Sequence, residues 1–174
     1  MQKERSILNT LPPNLVEVNS LFSENCNIKI KDYQIEKESS DYNAALFNLD
    51  KKQVIFRLAK ITPKKIGMFV TLWKRNRKGI TSPFHKGDNI DLVIVEVRKA
   101  NQIGHFVFSQ AILIEKGIIT SNKEGKRGFR IYPPWELPSN NQAAASQLWQ
   151  SHYFFERSKV NRDDSLRLKE LINL

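Results

Sequence analysis

The sequence predicts an α+β fold: a single domain with a largely antiparallel central sheet, flanked by N- and C-terminal helices. Strands dominate the middle of the chain and helical periodicity marks its ends. A length of 174 residues, without an internal repeat or a low-complexity stretch, suits one domain with a real core.

The elements follow in order. Pro12 and Pro13 precede NLVEVNSLFSE, where Leu15, Val18, Leu21 and Phe22 recur at helical spacing, predicting a helix over Asn14–Glu24. NIKIKDYQIEK alternates Ile28 and Ile30, then Tyr33 and Ile35, as a strand with an irregularity near Lys31. The acidic patch EKESSDY is a loop or strand entry. NAALFNLD and KKQVIFRLAKI are two strands joined by a turn at Asp50-Lys51-Lys52. After a turn at Pro63, IGMFVTLWKR adds a third member to an antiparallel meander, and NRKGITSPFHKGD is a loop. The β-branched run DLVIVEVR is a central strand, and GHFVFSQ is a short one. AILIEKGII begins a brief helix that stops at Gly117, and GKRGFRIYPPW is a glycine-opened strand closed by two prolines. Ser139 or Asn140 caps a helix through NQAAASQLWQSHYFFE, with Ala145, Leu148 or Trp149, His152 and Phe155 along one side. Residues 157–174 form a charged amphipathic helix built on Leu168, Leu171 and Ile172.

Composition narrows the class. With 40% hydrophobic and 26% charged residues, the chain has the make-up of a globule rather than a disordered segment. No apolar run approaches the ~18 residues of a membrane span, and the N-terminal segment lacks the apolar stretch of a signal peptide. The lone cysteine, Cys26, makes no internal disulfide, so a cytoplasmic location is expected.

Charge is distributed unevenly. Eleven basic residues and no acidic one lie between Lys51 and Gly87, which leaves 17 basic and 18 acidic residues for the rest of the chain. The net charge of +10 therefore resides in one segment. Such segregation makes a positive field that draws polyanions.

Within that segment, FRLAKITPKKIGMFVTLWKR reads as two strands about a proline turn. Alternation puts Val54, Phe56 and Leu58 on one face, with Arg57 on the other. It likewise puts Ile66, Met68, Val70 and Leu72 opposite Gly67, Phe69, Thr71, Trp73 and Arg75. A turn over Ile61–Lys65 pairs Leu58 with Met68 and Arg57 with Phe69, giving one core face and one mixed face. The mixed face suits a single-stranded nucleic acid, with Phe69 and Trp73 as stacking groups and Arg57 and Arg75 near phosphates. Alternatively a C-terminal helix covers it and the aromatics are core. Lys64 and Lys65 at the turn, with Lys60 and Lys74 beside them, are phosphate contacts. A second cluster, Lys126, Arg127 and Arg130, lies in a glycine-flanked stretch that either closes over a ligand or forms an ordinary basic hairpin.

Several stretches together, FRLAKITPKKIGMFVTLWKR, SPFHKGD, GHFVFSQAILIEKGI, GKRGFRIYPPW and NQAAASQLWQSHYF, resemble the MepB family of small bacterial proteins. The likeness runs from about Glu36 to Phe154, departing from the family pattern at Met68 and Ser109. It implies a single α+β domain and a connection with nucleic acid, without an assigned activity.

The sequence supplies no catalytic residue, metal-ligand cluster or cofactor motif: His85, His105 and His152 are widely spaced, and no Walker or dinucleotide fingerprint occurs. The one enzyme candidate is a divalent-metal-dependent nuclease using Asp88, Asp91 and Glu96, with Arg98 where a lysine is wanted. The expected function is nucleic-acid binding, to DNA or RNA, through the basic hairpin. That nuclease and a module for an acidic protein partner are the alternatives.

Overall fold

In the computed structural model, which describes residues 11–173, the run from Leu92 to Val97 is buried at every position. A strand apolar on both faces needs cover on both faces, and that requirement organises the molecule. This strand, β8 (Leu92–Lys99), lies in a six-stranded sheet ordered β1-β2-β3-β8-β9-β11. The others are β1 (Ile30–Ile35), β2 (Ala45–Leu49), β3 (Lys52–Leu58), β9 (Gln102–Ser109) and β11 (Phe154–Glu156). All neighbours are antiparallel except β3 and β8, which run parallel with Val54 opposite Leu92 and Leu58 opposite Glu96.

Helices α1 (Pro13–Cys26) and α4 (Arg162–Leu171) cover one face of this sheet. Leu15, Val18, Leu21, Phe22, Leu168 and Ile172 meet Phe47, Val54, Phe56, Leu92, Ile94 and Val107 there. A second sheet, β10-β5-β4, covers the other. Its strands are β4 (Lys60–Thr62), β5 (Lys65–Thr71) and β10 (Gly128–Ile131). Met68, Val70, Phe129 and Ile131 from its inner side pack on Ile55, Val93, Val95, Phe106 and Phe108. A two-stranded ribbon, β6 (Lys74–Arg75) and β7 (Thr81–Ser82), follows β5.

Local chemistry sets the boundaries. A proline sits in the first turn of α1, where its missing N–H costs nothing. The irregularity expected near Lys31 is a register shift between Lys31 and Gln34, with Asp32 at φ 50°. Helix α2 (Gln110–Glu115) starts at Ser109, whose hydroxyl accepts from the Ile112 N–H. Helix α3 (Asn141–Ser151) is capped by Asn140, and α4 by an Asn161–Asp164 capping box.

The α+β class, the antiparallel sheet and the terminal helices are as expected. Two expectations are corrected. First, β5 is not the third strand of a meander with β3. The chain leaves the large sheet after Leu58, and β4 rather than β3 pairs with β5, through Lys60–Phe69 and Ile61–Met68. Val54 and Phe56 therefore face the helices, while Met68, Val70 and Leu72 fill the space between the sheets. Second, α3 turns Trp149, packed on Phe108, and a polar residue inward rather than the whole stripe expected. Buried Gln150 accepts from the Tyr132 N–H (2.8 Å) and donates to the Arg130 carbonyl (3.0 Å), while Ala145, Leu148 and His152 are exposed. Phe155 belongs to β11.

Among the described residues, no helix is long and apolar enough to cross a membrane. The reading of the N-terminus as free of a signal peptide concerns residues 1–18, of which 1–10 lie outside the described residues.

Candidate nucleic-acid interface

The outer face of the small sheet is not covered. Alternation sends Gly67 and Phe69 of β5, and Gly128 and Arg130 of β10, to that side, with Tyr132 just beyond. Phe69, Gly128, Arg130 and Tyr132 form the floor of an open groove of about 810 Å³, with Gly67 buried beside them. The β4–β5 hairpin tip, with Lys64, Lys65 and Ile66, makes one wall. The opposite wall is α3 and its cap, contributing Asn140, Gln142, Ser146 and Trp149. Lys116 and Lys126 stand at one end.

Glycine is required at two positions, Gly128 on the floor and buried Gly67 beside it. At Gly67, φ is +80°, a conformation that side chains rarely adopt. A Cβ there would also lie 2.6 Å from the Tyr132 ring, and one at Gly128 would lie 2.6 Å from the Phe69 ring. Each aromatic ring thus lies across a glycine of the neighbouring strand, and both remain half-buried.

No Asp or Glu lines the groove. Lys64, Lys65 and Lys126 are exposed and lack any carboxylate partner among the described residues. Arg130 uses its guanidinium to brace the hairpin, donating to the Thr62 hydroxyl (2.8 Å) and the Gly67 carbonyl (3.2 Å). Its charge too has no carboxylate beside it. Lys116 pairs with Glu115 at 2.9 Å and lies 5.6 Å from the Trp149 ring centroid. The groove is cationic along its length.

Five of the residues singled out by sequence therefore converge: Lys64, Lys65, Phe69, Lys126 and Arg130. The other six do not. Arg57 is the clearest correction, because it is 1% exposed and cannot meet a phosphate. Its guanidinium donates to Glu36 Oε2 at 2.7 Å and to the Phe56 carbonyl at 2.8 Å. Burial pushes it below the ordinary arginine range, and Glu36 offsets part of that. Lys60 faces Asp41 at 3.4 Å and the Tyr42 ring at 4.7 Å. Arg75 donates to Glu38 and to the Gly79 carbonyl, and covers the Trp73 ring. Trp73 lies past the end of β5 and does not line the groove. Lys74 is held by Asp88, and Arg127 by Glu124 and the Thr81 carbonyl. The acidic stretch Glu36–Asp41 thus returns onto the basic segment and neutralises three of its charges.

Sequence reasoning missed Tyr132, Lys116 and the role of Trp149 as a wall. Continuing the alternation Gly128, Arg130 by one step would have found Tyr132.

The nuclease candidates are scattered. Asp91 accepts from the Gln53 N–H of β3 at 2.8 Å, a long-range tie, and Asp88 from the His85 N–H at 2.7 Å within its own turn. Glu96 is fully buried, bonded to Arg98 and lying 3.0 Å from His105 Nε2. Among the described residues, no three His, Cys, Asp or Glu side chains gather as a metal site.

A family model described as MepB-like matches residues 36–156. Among solved structures, the crystal structure of MepB is similar at 34% identity, with a TM-score of 0.74, covering 86% of this chain and 100% of that one. The comparison with curated proteins returns no match.

Proposed function

The chain belongs to the MepB-like family, and from that premise and the geometry of the groove we propose that it is a cytoplasmic nucleic-acid-binding protein. The basic β4–β5 hairpin and the facing cations hold the sugar–phosphate backbone. Uncompensated charge is the observation that carries this reading. Elsewhere on the small sheet and its ribbon Lys60, Lys74 and Arg75 are each matched by an acid and only Arg77 and Lys78, in the ribbon's turn and outside the groove, are not, whereas Lys64, Lys65, Lys126 and Arg130 share one groove with no carboxylate. Lysines kept free on a rigid hairpin, beside a half-buried arginine, suit a ligand that brings its own repeating negative charge.

Reversing the charge at the hairpin tip tests this. A Lys64→Glu, Lys65→Glu protein, followed by fluorescence anisotropy with labelled oligonucleotides at two salt concentrations, should bind at least tenfold more weakly. Its salt dependence should be shallower, because each lost phosphate contact removes about 0.7–0.9 from the logarithmic slope. Its melting temperature should not change, since both lysines are exposed. Affinity that survives the reversal would place the contact elsewhere. Absence of binding at low salt would leave an acidic protein partner as the ligand of this face.

A further inference from the structure

We infer that the turn of the β6–β7 ribbon is a second contact for the nucleic acid, met only by strands long enough to leave the groove; this rests on the nucleic-acid reading above. The turn, Asn76–Gly79, carries Arg77 and Lys78, both exposed and without a carboxylate partner among the described residues. Neutralisation stops short of them: Glu38 takes Arg75 and Asp88 takes Lys74, both at the ribbon's base.

A turn kept basic for solubility alone needs no fixed shape, and this one is pinned. The Asn76 side-chain oxygen accepts from the Lys78 N–H (2.9 Å) and the Ile80 N–H (3.0 Å). The Asn76 N–H donates to the Ile80 carbonyl (2.9 Å), and Arg75 reaches across to the Gly79 carbonyl (2.7 Å). Gly79 supplies the left-handed step, at φ +75°. Cations presented from a closed turn bind with little further loss of backbone entropy. Ile80, 59% exposed beside them, gives the sugars an apolar surface.

The ribbon is rooted at the end of the groove. Arg127 donates from Nε to the Thr81 carbonyl of β7 at 3.1 Å, and its neighbour Lys126 stands at the groove's end. Thr81 and Lys78 are separated by about 10 Å of extended chain. Neither Arg77 nor Lys78 lines the groove. A strand held by Lys64, Lys65 and Lys126 therefore meets the tip by running on past Lys126.

The test measures anisotropy of labelled oligothymidylates of about 6 and about 20 nucleotides, at several salt concentrations. Arg77→Ala with Lys78→Ala should weaken binding of the long oligomer about tenfold and lower its logarithmic salt slope by about 1.4, the value for two phosphates of one strand. Affinity for the short oligomer should change by less than about twofold, and the melting temperature should stay, since both side chains are exposed. Lys31→Ala with Lys51→Ala, which removes the same charge from exposed sites on β1 and the β2–β3 turn, should spare both lengths. Equal loss at both lengths, a loss matched by the Lys31 and Lys51 variant, or no loss on the long oligomer overturns the ribbon contact. Nucleic-acid binding itself survives those results provided Lys64→Glu with Lys65→Glu weakens both lengths. No binding of either length to the unaltered protein at low salt overturns both.

Discussion

Glu96 is a carboxylate with its solvation entirely replaced by protein. Its side chain is fully buried, one oxygen taken by Arg98 and the other by His105, which is equally buried. Arg98 reaches solvent at its far end, so its charge is partly screened. Removing the acid leaves a histidine nitrogen without a partner beside one that already has none, His105 Nδ1. Glu96→Ala should therefore cost about 3 kcal/mol in urea unfolding, as loss of one partner in a buried pair does. The affinity of the folded variant for oligonucleotides should be unaltered. Arg57 shows the matching limit of sequence reading. Alternation places it opposite Phe56 correctly, but alternation reports which residues share a face, not whether another layer covers that face. A second sheet does, and Glu36, 21 residues earlier, supplies the counter-charge.

At the scale of an element, the stretch from Glu36 to Asp41 acts as an internal counter-ion. Glu36, Glu38 and Asp41 engage Arg57, Arg75 and Lys60 in turn. The last two pairs are substantially exposed, so they contribute little to stability. They lower the positive field that an approaching polyanion meets. Glu38→Gln with Asp41→Asn should raise oligonucleotide affinity about threefold at low salt and steepen its salt dependence. Unfolding free energy should shift by no more than about 0.5 kcal/mol. The sequence made the basic run visible and hid its neutralisation, because the acids precede the run along the chain and fold back onto it. The hairpin about Pro63 was legible from the proline and its lysines. That it belongs to a separate sheet was not, since the break at Ala59 carries no turn residue.

For the whole molecule, the helices α1 and α4 lie outside the residues that the family model matches, yet they cover one full side of the large sheet. Removing residues 157–174 would strip Leu168 and Ile172 from that side, two almost wholly buried side chains worth about 2 kcal/mol each. The truncated protein should lose about 4 kcal/mol in chemical unfolding and bind a hydrophobic dye. The groove, built on the far side of the small sheet, should keep its oligonucleotide affinity while the protein stays folded. The helices were readable from periodicity and the β8 strand from its unbroken apolar run. The layering was not, because two faces of one sheet and the inner face of another are equally apolar in sequence.

The parallel pairing of β3 with β8 has a consequence for synthesis. Strands β1 to β3 can assemble as soon as they leave the ribosome, but the partner of β3 begins only at Leu92, after residues 59–91 have been added. At about 5–20 residues per second, a nascent chain carries an open edge bearing Val54, Ile55 and Phe56 for a few seconds. The segment added during that interval, residues 59–91, brings eight cations before its first acid, Asp88. Neighbouring nascent chains repel one another just while their edges are exposed.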